Sequence, residues 1–277
     1  MKKNNSVFVV IVLYGKEPQD CFPLQFLLAN GHSFFSDYEL LVYNNFNQIN
    51  ILPKNNYQVI NVPENNFLSG AYNCALEQAV KSQKKWLLLL DQDAELTIDY
   101  LQELTRIFDM DTPENLGAII PQIKSKNSFI SPKIYFPLTG THFFKKSIKK
   151  TGIYGKCFSA INSGAILDVE TINEIGGFSS KYPLDGLDFW YFYQLHKRKK
   201  YVYVMSAVLE HNLSVFDYQT VDILRYKSIL DSELRFCSEL GRTAVFCWKL
   251  KIPLRAIKRL CSKNSNYTLL TLSYLFK

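Results

Sequence analysis

Two aspartates one residue apart, Asp91 and Asp93, close the run WLLLLDQD, in which five apolar residues lead straight into charge. A continuous apolar run of this length reads as a strand buried on both faces. Such strands ordinarily end in glycine or asparagine turns. Carboxylates left dry and unpaired at a strand end are costly, and a divalent cation removes that cost. Hard oxygen ligands suit Mg2+ or Mn2+, which also grip phosphate, so the pair reads as a clamp for a metal diphosphate. The plainer alternative is an exposed turn, because a lone D-x-D is common. His211, in VLEHNLS, is a candidate third ligand if the strand before it ends beside the first; a lone histidine is more often structural. A second acidic pair, Asp185 and Asp188, lies in PLDGLDFW ahead of a helical pattern. It fits capping of that helix and also a general base for an incoming hydroxyl.

The elements that would position these groups follow from the hydrophobic pattern. SVFVVIVLYG reads as a first strand, and PQDCFPLQFLLANG as a helix disturbed by Pro23 and ended by Gly31. YELLVYNN and YQVINVPENN are strands. LSGAYNCALEQAVKS is a helix with Ala71, Cys74, Ala75 and Ala79 at helical spacing, and KWLLLLDQD is the fourth strand. The order β-α-β-β-α-β argues for an α/β fold, a mostly parallel central sheet flanked by helices. Such sheets bind ligands at the carboxyl ends of their strands. The clusters Tyr14-Gly15, Asn44-Asn45, Glu64-Asn65-Asn66 and Asp91-Gln92-Asp93 all fall at such ends.

Further on, TIDYLQELTRIFDM is a helix capped by Thr97, and NLGAIIPQI is a strand. Residues 124–160 suggest irregular strands and loops. INSGAILDVETINEIGGF gives a short strand, then a helix ending at Gly176-Gly177. DGLDFWYFYQLHKRKK is a helix, acidic in front and basic behind, as the macrodipole favours. YVYVMSAVLEH is the last strand, and helical pattern runs from Thr220 to about Leu240, then into a basic helix interrupted by Pro253. The expected division is an α/β domain over 1–218 and a helical, basic extension over 219–277.

The net charge of +7 sits late, in HKRKK and KLKIPLRAIKRLCSK. A basic end suits anionic lipid, nucleic acid or solubility alone; with no helix-turn-helix or RNA-binding motif, nucleic acid is not expected. Trp248, Leu250, Ile252, Leu254, Ile257 and Leu260 interleave with Lys249, Lys251, Arg255, Lys258 and Arg259. That pattern fits an interfacial helix on anionic headgroups, or a helix packed on the first domain or on a second copy of the chain. Six cysteines without a CxxC pair fit free thiols in a reducing cytoplasm. The stretch Val7–Leu13 has a basic start before it but no small-residue cleavage site after it, and it is too short to span a bilayer.

Taken in order, these motifs resemble a family 2 glycosyltransferase of the GT-A fold, closest to its bacterial rhamnosyltransferase-like branch, over about residues 7–215. VIVLYGKEP matches the opening strand. ENNFLSGAYN keeps Glu64, Asn65, Gly70 and Asn73 of a pattern like E-N-x-G-x-A-G-G-x-N. DQD matches the Asp-x-Asp, GGFSSKYPLDGLDFWYFYQLHKR the G-G-F-D-E segment and its helix, and His211 the histidine beyond the next strand. The resemblance implies that Leu13 and Tyr14 line the nucleoside pocket and that Asn44 or Asn45 meets the base, where the family usually has Asp. It implies that Asn65, Asn66 and Gly70 shape the nucleotide pocket, supported by Asn73. Asp91 and Gln92 would bind the sugar nucleotide, and Asp91 and Asp93 would hold it through Mn2+ or Mg2+, with His211 completing the shell. Asp185 or Asp188 would deprotonate the acceptor, Asp185 being preferred. Departures are Asn44 for Asp, Phe67 for a pocket glycine, FSS for F-D-E, Asp185-Gly186 for Glu-Asp, and no helix arginine unless Arg198 serves. The implied function is an inverting transferase moving a sugar, rhamnose favoured, from dTDP-rhamnose or a UDP-sugar to a glycan or lipid-linked acceptor in surface polysaccharide synthesis. The expected place is the cytoplasm, at the inner face of the cell membrane, with a homodimer as a further partner state. The rival readings are a nucleotidyltransferase and a non-catalytic sugar-nucleotide-binding module.

Overall fold

The computed structural model describes residues 6–35, 37–210, 222–261 and 265–277. Strand β1 (Val7–Leu13) is buried from end to end because it pairs on both sides and is covered on both faces. In chain order the following elements are 3-10 turn Pro18–Asp20, α1 (Phe22–Phe34), β2 (Tyr38–Asn44), β3 (Gln58–Asn61), α2 (Phe67–Lys81), β4 (Trp86–Asp91), α3 (Ile98–Asp109), β5 (Leu116–Ser125) and β6 (Ser128–Ser131). Then come β7 (Lys133–Phe136), β8 (Thr141–Ser147), β9 (Gly152–Tyr154), β10 (Phe158–Ser159), β11 (Ile166–Asp168), α4 (Val169–Ile175), α5 (Leu187–Lys197) and β12 (Tyr201–Glu210). Four helices close the chain: α6 (Ile223–Leu240), α7 (Arg242–Lys249), α8 (Ile252–Cys261) and α9 (Ser265–Ser273). The chain divides into two compact units, Met1–Pro132 with Ser147–Asn212 and Lys133–Lys146 with Leu213–Lys277. The division draws on the 124–160 stretch whose pattern is irregular in the sequence.

The first unit holds a sheet ordered β3-β2-β1-β4-β11-β5-β12-β9, with β6 on β5. β1, β2, β3 and β4 are mutually parallel, and β12 is parallel to β5. The expectation of a mostly parallel sheet meets one insertion. β11 runs antiparallel between β4 and β5. The turn Asn162–Ala165, closed by the Ala165 amide donating to the Asn162 carbonyl at 2.8 Å, sends the chain back against its neighbours. Gly31 does not end α1, which runs on to Phe34. A Cβ there would lie 2.9 Å from the Tyr38 hydroxyl, so this glycine permits a close approach rather than a turn.

Pro121 sits inside β5 and has no N–H to give the ladder. Opposite it β12 bulges: Val204 pairs with Ile120 and Val208 with Gln122, leaving three residues against one. Two side chains fasten the bulge. The Gln122 carboxamide donates to the Met205 carbonyl at 2.9 Å. The buried Glu103 carboxylate of α3 accepts from the Ser206 amide, the Ala207 amide and the Ser206 hydroxyl at 2.7, 2.7 and 2.8 Å. A carboxylate here supplies acceptors for amides that the bulge takes out of the ladder.

In the second unit β7 and β8 pair with each other. Tyr226, Leu230, Cys237, Ala244, Trp248, Ile252 and Tyr274 form its core. Trp248 and Ile252 are therefore inward-facing, contrary to their expected place on an interfacial face; the Trp248 indole donates to Glu233 at 2.9 Å. The basic stretch does break near Pro253, but just ahead of it, between α7 and α8 at Leu250–Lys251. Pro253 itself lies in the first turn of α8, where its missing N–H has no intrahelical partner to lose. Cys21, Cys74, Cys157, Cys237 and Cys247 are free thiols. Among the described residues no helix is long and apolar enough to cross a membrane.

Glu103→Ala leaves two amides of the bulge, that of Ala207 buried, without acceptors. It is expected to lower the stability of the protein by about 2 kcal/mol or more, read from urea unfolding against the parent chain.

Candidate active site

The parallel register sets the site. Leu13 lies opposite Asn44, Asn44 opposite Asn61, and Asp91 opposite Val12. Four strand ends thus share one edge, with neighbouring strands roughly 4.8 Å apart. At that edge the side chains divide into builders and exposed groups. Leu13 is fully buried; its carbonyl accepts from the Asn45 amide at 2.8 Å, so it serves the edge through its backbone. Asn44 is buried too. Its Nδ2 donates to the Ile49 carbonyl at 2.6 Å and to Asn61 Oδ1 at 2.9 Å, and its Oδ1 accepts from the Phe46 amide at 3.1 Å. Asn45 donates to the Phe67 carbonyl at 3.0 Å and accepts from the Asn66 amide at 3.1 Å, tying β2 to the start of α2.

Asn65 Oδ1 accepts from the Phe67 amide at 2.8 Å, and Asn66 donates to the Tyr43 hydroxyl at 3.2 Å. Together they shape the loop that enters α2, with Phe67 at φ 55°. Gly70 has no room for a side chain, since a Cβ would sit 2.7 Å from that of Asn66. Tyr14, by contrast, is 55% exposed. Its ring meets Phe46 edge-on at 5.2 Å, and its amide donates to Gln92 Oε1 at 2.9 Å. Gln92 therefore links the end of β1 to the acidic turn. Lys16 approaches the Gln92 carbonyl at a long 3.5 Å.

β4 ends in a turn in which the Ala94 amide donates to the Asp91 carbonyl at 3.1 Å. Asp91 is partly buried and Asp93 exposed. The Asn162–Ala165 turn lies alongside. Gly164 donates to the Leu89 carbonyl at 2.8 Å, and Ser163 Oγ is 3.5 Å from the Asp91 amide. Among the described residues no group of three or more His, Cys, Asp and Glu side chains is placed to hold a metal ion. Asp91 and Asp93 supply two hard oxygen donors, a set that fits Mg2+ or Mn2+ better than softer ions. The third expected ligand, His211, lies outside the described residues. The residue before it, Glu210, bridges to Glu95, two positions beyond Asp93.

The second acidic pair is brought in through α2. Asn73 donates to the Phe178 carbonyl at 2.8 Å and accepts from its amide at 2.7 Å. A Cβ on Gly177 would meet that amide oxygen at 2.6 Å, which explains the second glycine of GGF. The Ser69 amide donates to the Pro183 carbonyl at 3.0 Å. These three bonds hold the 178–186 segment against α2, and α5 then starts at Leu187 after Gly186 in a left-handed turn. Asn73 is thus a joint between elements, with both ends of its carboxamide occupied.

Tyr72 stands where the acidic groups meet. It is fully buried, and its hydroxyl has no hydrogen-bond partner among the described residues. Burial, then the charges of Asp91 and Asp188, hold its phenol well above the ordinary range. Asp188 keeps some surface as a residue, but its carboxyl group is enclosed by protein atoms. Burial pushes that carboxyl up to about 7, helped by Asp185 and then Asp91 and opposed by the Phe189 amide, which donates at 2.9 Å. Asp188 is therefore close enough to feel both Asp185, on its own segment, and Asp91, on a distant one.

The family model of glycosyl transferase family 2 matches residues 35–175, just over half of the chain. The chain belongs to glycosyl transferase family 2. No curated protein matches its sequence. Similar solved structures include S. aureus TarS 1–349, at 13% identity and TM-score 0.49 over 97% of this chain and 91% of that one. A mannosyltransferase from Pyrobaculum calidifontis, PcManGT, solved with GDP-Man and Mn2+, is 11% identical at TM-score 0.49, over 98% of this chain and 86% of that one. GalNAc-T7, solved with UDP, GalNAc and Mn2+, is 11% identical at TM-score 0.54, covering 83% of this chain and 48% of that one. Identities this low speak to fold alone, and of these three the last superposes closely enough to do so. With the sheet, its flanking helices and the helical C-terminal part, this makes the family 2 transferase a GT-A-like α/β fold.

Tyr72, Phe46 and the Ser163-Gly164 turn escaped sequence reasoning in this transferase. The turn carried a signal, the NSG triplet, but its place beside Asp91 depends on β11 running backwards. Tyr72 carried none beyond a position inside the ENNFLSGAYN motif.

The raised Asp188 value has a sign. Its folded pKa of about 7 exceeds the ordinary 3.8, so its contribution to stability is full below about pH 4 and lost as pH rises through about 7. Asp188→Asn stays neutral throughout. In chelator, thermal melts are expected to show it more stable than the parent at about pH 8 and level with it near pH 4.

Proposed function

We propose that this chain transfers a sugar, rhamnose favoured, from a nucleoside-diphosphate donor to a glycan or lipid-linked glycan, inverting the anomeric carbon. The observation that carries the reading is the shared edge: Asp91 in register with the end of β1, and Asp91 and Asp188 both acting on buried Tyr72. A donor site and a proton-accepting site need this adjacency, because the diphosphate and the acceptor hydroxyl approach the same carbon from opposite sides. The exposed Tyr14 ring beside Phe46 offers an aromatic face to the base. Asn45, the Asn65-Asn66 loop and the first turn of α2 up to Gly70 set the wall next to it.

Asp91 and Asp93, with His211, would hold Mn2+ or Mg2+. When bound, such an ion neutralises the charge that gathers on the departing nucleoside diphosphate. The chain's own chemistry lies in the second pair. An Asp185 oxygen takes the acceptor hydroxyl proton as that hydroxyl's oxygen bonds to the anomeric carbon and the carbon–diphosphate bond breaks. Asp185 is favoured over Asp188 because it leads the helix from a partly exposed loop, whereas the Asp188 carboxyl is enclosed and half protonated near neutrality. GalNAc-T7, which shares the fold, was solved with UDP, GalNAc and Mn2+, so Mn2+ with uridine nucleotides is a sensible first trial beside dTDP-rhamnose.

Calorimetric titration of a sugar-nucleotide panel, with Mn2+ or with chelator, tests the reading. Asp91→Ala and Asp93→Ala are each expected to abolish metal-dependent donor binding. Asp185→Asn is expected to keep donor affinity while turnover falls about 10²–10⁴-fold. Donor binding in the parent without hydrolysis or transfer would instead mark a non-catalytic module. Full donor affinity in Asp91→Ala would remove the acidic turn from the site.

A further inference from the structure

We propose that the exposed faces of α7 and α8 form a docking surface for an anionic lipid bilayer. The proposal rests on the second unit alone and stands apart from the donor-site reading. Residues 242–277 carry eight Lys and Arg and no Asp or Glu, against +7 for the whole chain. The helices sort their apolar residues into two sets. Ile252, Ala256 and Arg259, one helical face of α8, are buried. Leu254, Ile257 and Leu260 are 71%, 58% and 61% exposed. Phe246 and Leu250, one turn apart at the end of α7, are 64% and 60% exposed and lead into α8. Arg242, Lys251 and Lys258 are exposed among them.

Among the described acidic groups of α6, Glu233 and Asp231 are engaged within the unit, and Glu239 stays exposed. Glu233 accepts from Arg255 and Trp248, at 2.6 and 2.9 Å. Asp231 pairs with Lys227, Lys277 and the Tyr274 hydroxyl. Outward on α7 and α8 stand large apolar side chains interspersed with cations, the composition that seats a helix at a headgroup boundary. Charge also selects the occupant. Two copies of this face would bring like charges together, whereas an anionic bilayer satisfies both the cations and the apolar stripe.

Flotation of the full chain with vesicles of phosphatidylcholine containing phosphatidylglycerol, against phosphatidylcholine alone, tests this at low and high salt. Retention on the anionic vesicles, weakened by salt, is expected. Leu254→Asp with Ile257→Asp is expected to lower partition at least about tenfold. Lys251→Gln with Lys258→Gln is expected to lower it about fivefold per residue. All four positions are exposed, so unchanged melting temperatures separate loss of the surface from loss of the fold. Equal binding to both vesicle types, or unaltered partition in both variants, would overturn the proposal. So would a dimer, seen by light scattering, that Ile257→Asp dissociates in a chain that binds no vesicle.

Discussion

In-register parallel pairing of β1 with β2 and β4 is the constraint on which the rest of this molecule depends. A slip of one residue in any of these pairs would turn every side chain of the strand to the other face. Here both faces are apolar, so alternation alone would not forbid a slip. The register is held at the strand ends, where the Asn45 amide reaches the Leu13 carbonyl and Gln92 reaches the Tyr14 amide. The groups that define the edge are thus the groups that lock the register beneath it. Chemistry and fold are secured by the same few bonds.

Carboxamides do much of this locking, and the reason is stoichiometric. A carboxamide both donates and accepts, so one side chain can close a loop from two sides without burying a net charge. Asn44 illustrates it. An aspartate at that position, as in the resembled family, would keep the bond from the Phe46 amide but lose the donations to the Ile49 carbonyl and to Asn61. The asparagine is accounted for by loop construction at this edge. Asn73 follows the same logic, reading both backbone groups of Phe178 at once.

Much of the first half was legible in the sequence, because long apolar strands and helically spaced alanines announce themselves and a parallel sheet fixes which strand ends are neighbours. The acidic turn after β4, the Thr97 cap and the Gly176-Gly177 stop all follow from local chemistry that the structure repeats. What local chemistry lacks is direction. Three residues, Ile166–Asp168, look the same whether they run up or down, so the reversed β11 and the turn it delivers beside Asp91 were not readable. Pro121 marks its position plainly, but that a bulge in β12 and a carboxylate from α3 answer it depends on partners remote in the chain. The second unit misled for a different reason. Alternating apolar and basic residues give period but not phase, and only packing decides that Trp248 and Ile252 turn inward while Leu254 and Ile257 do not.

The reversed strand has a consequence for how the chain is made. β4 has β1 on one flank from early in synthesis, but its other flank waits for Ile166–Asp168. Until those residues leave the ribosome, the strand that ends in Asp91 carries an open, apolar hydrogen-bonding edge. Such an edge recruits any extended segment nearby, and long-range closures of this kind are where nascent chains go astray. The acidic residues at the tip of β4 then have a second use. Negative charge at the end of an unfinished strand discourages another copy from adding to it during that interval.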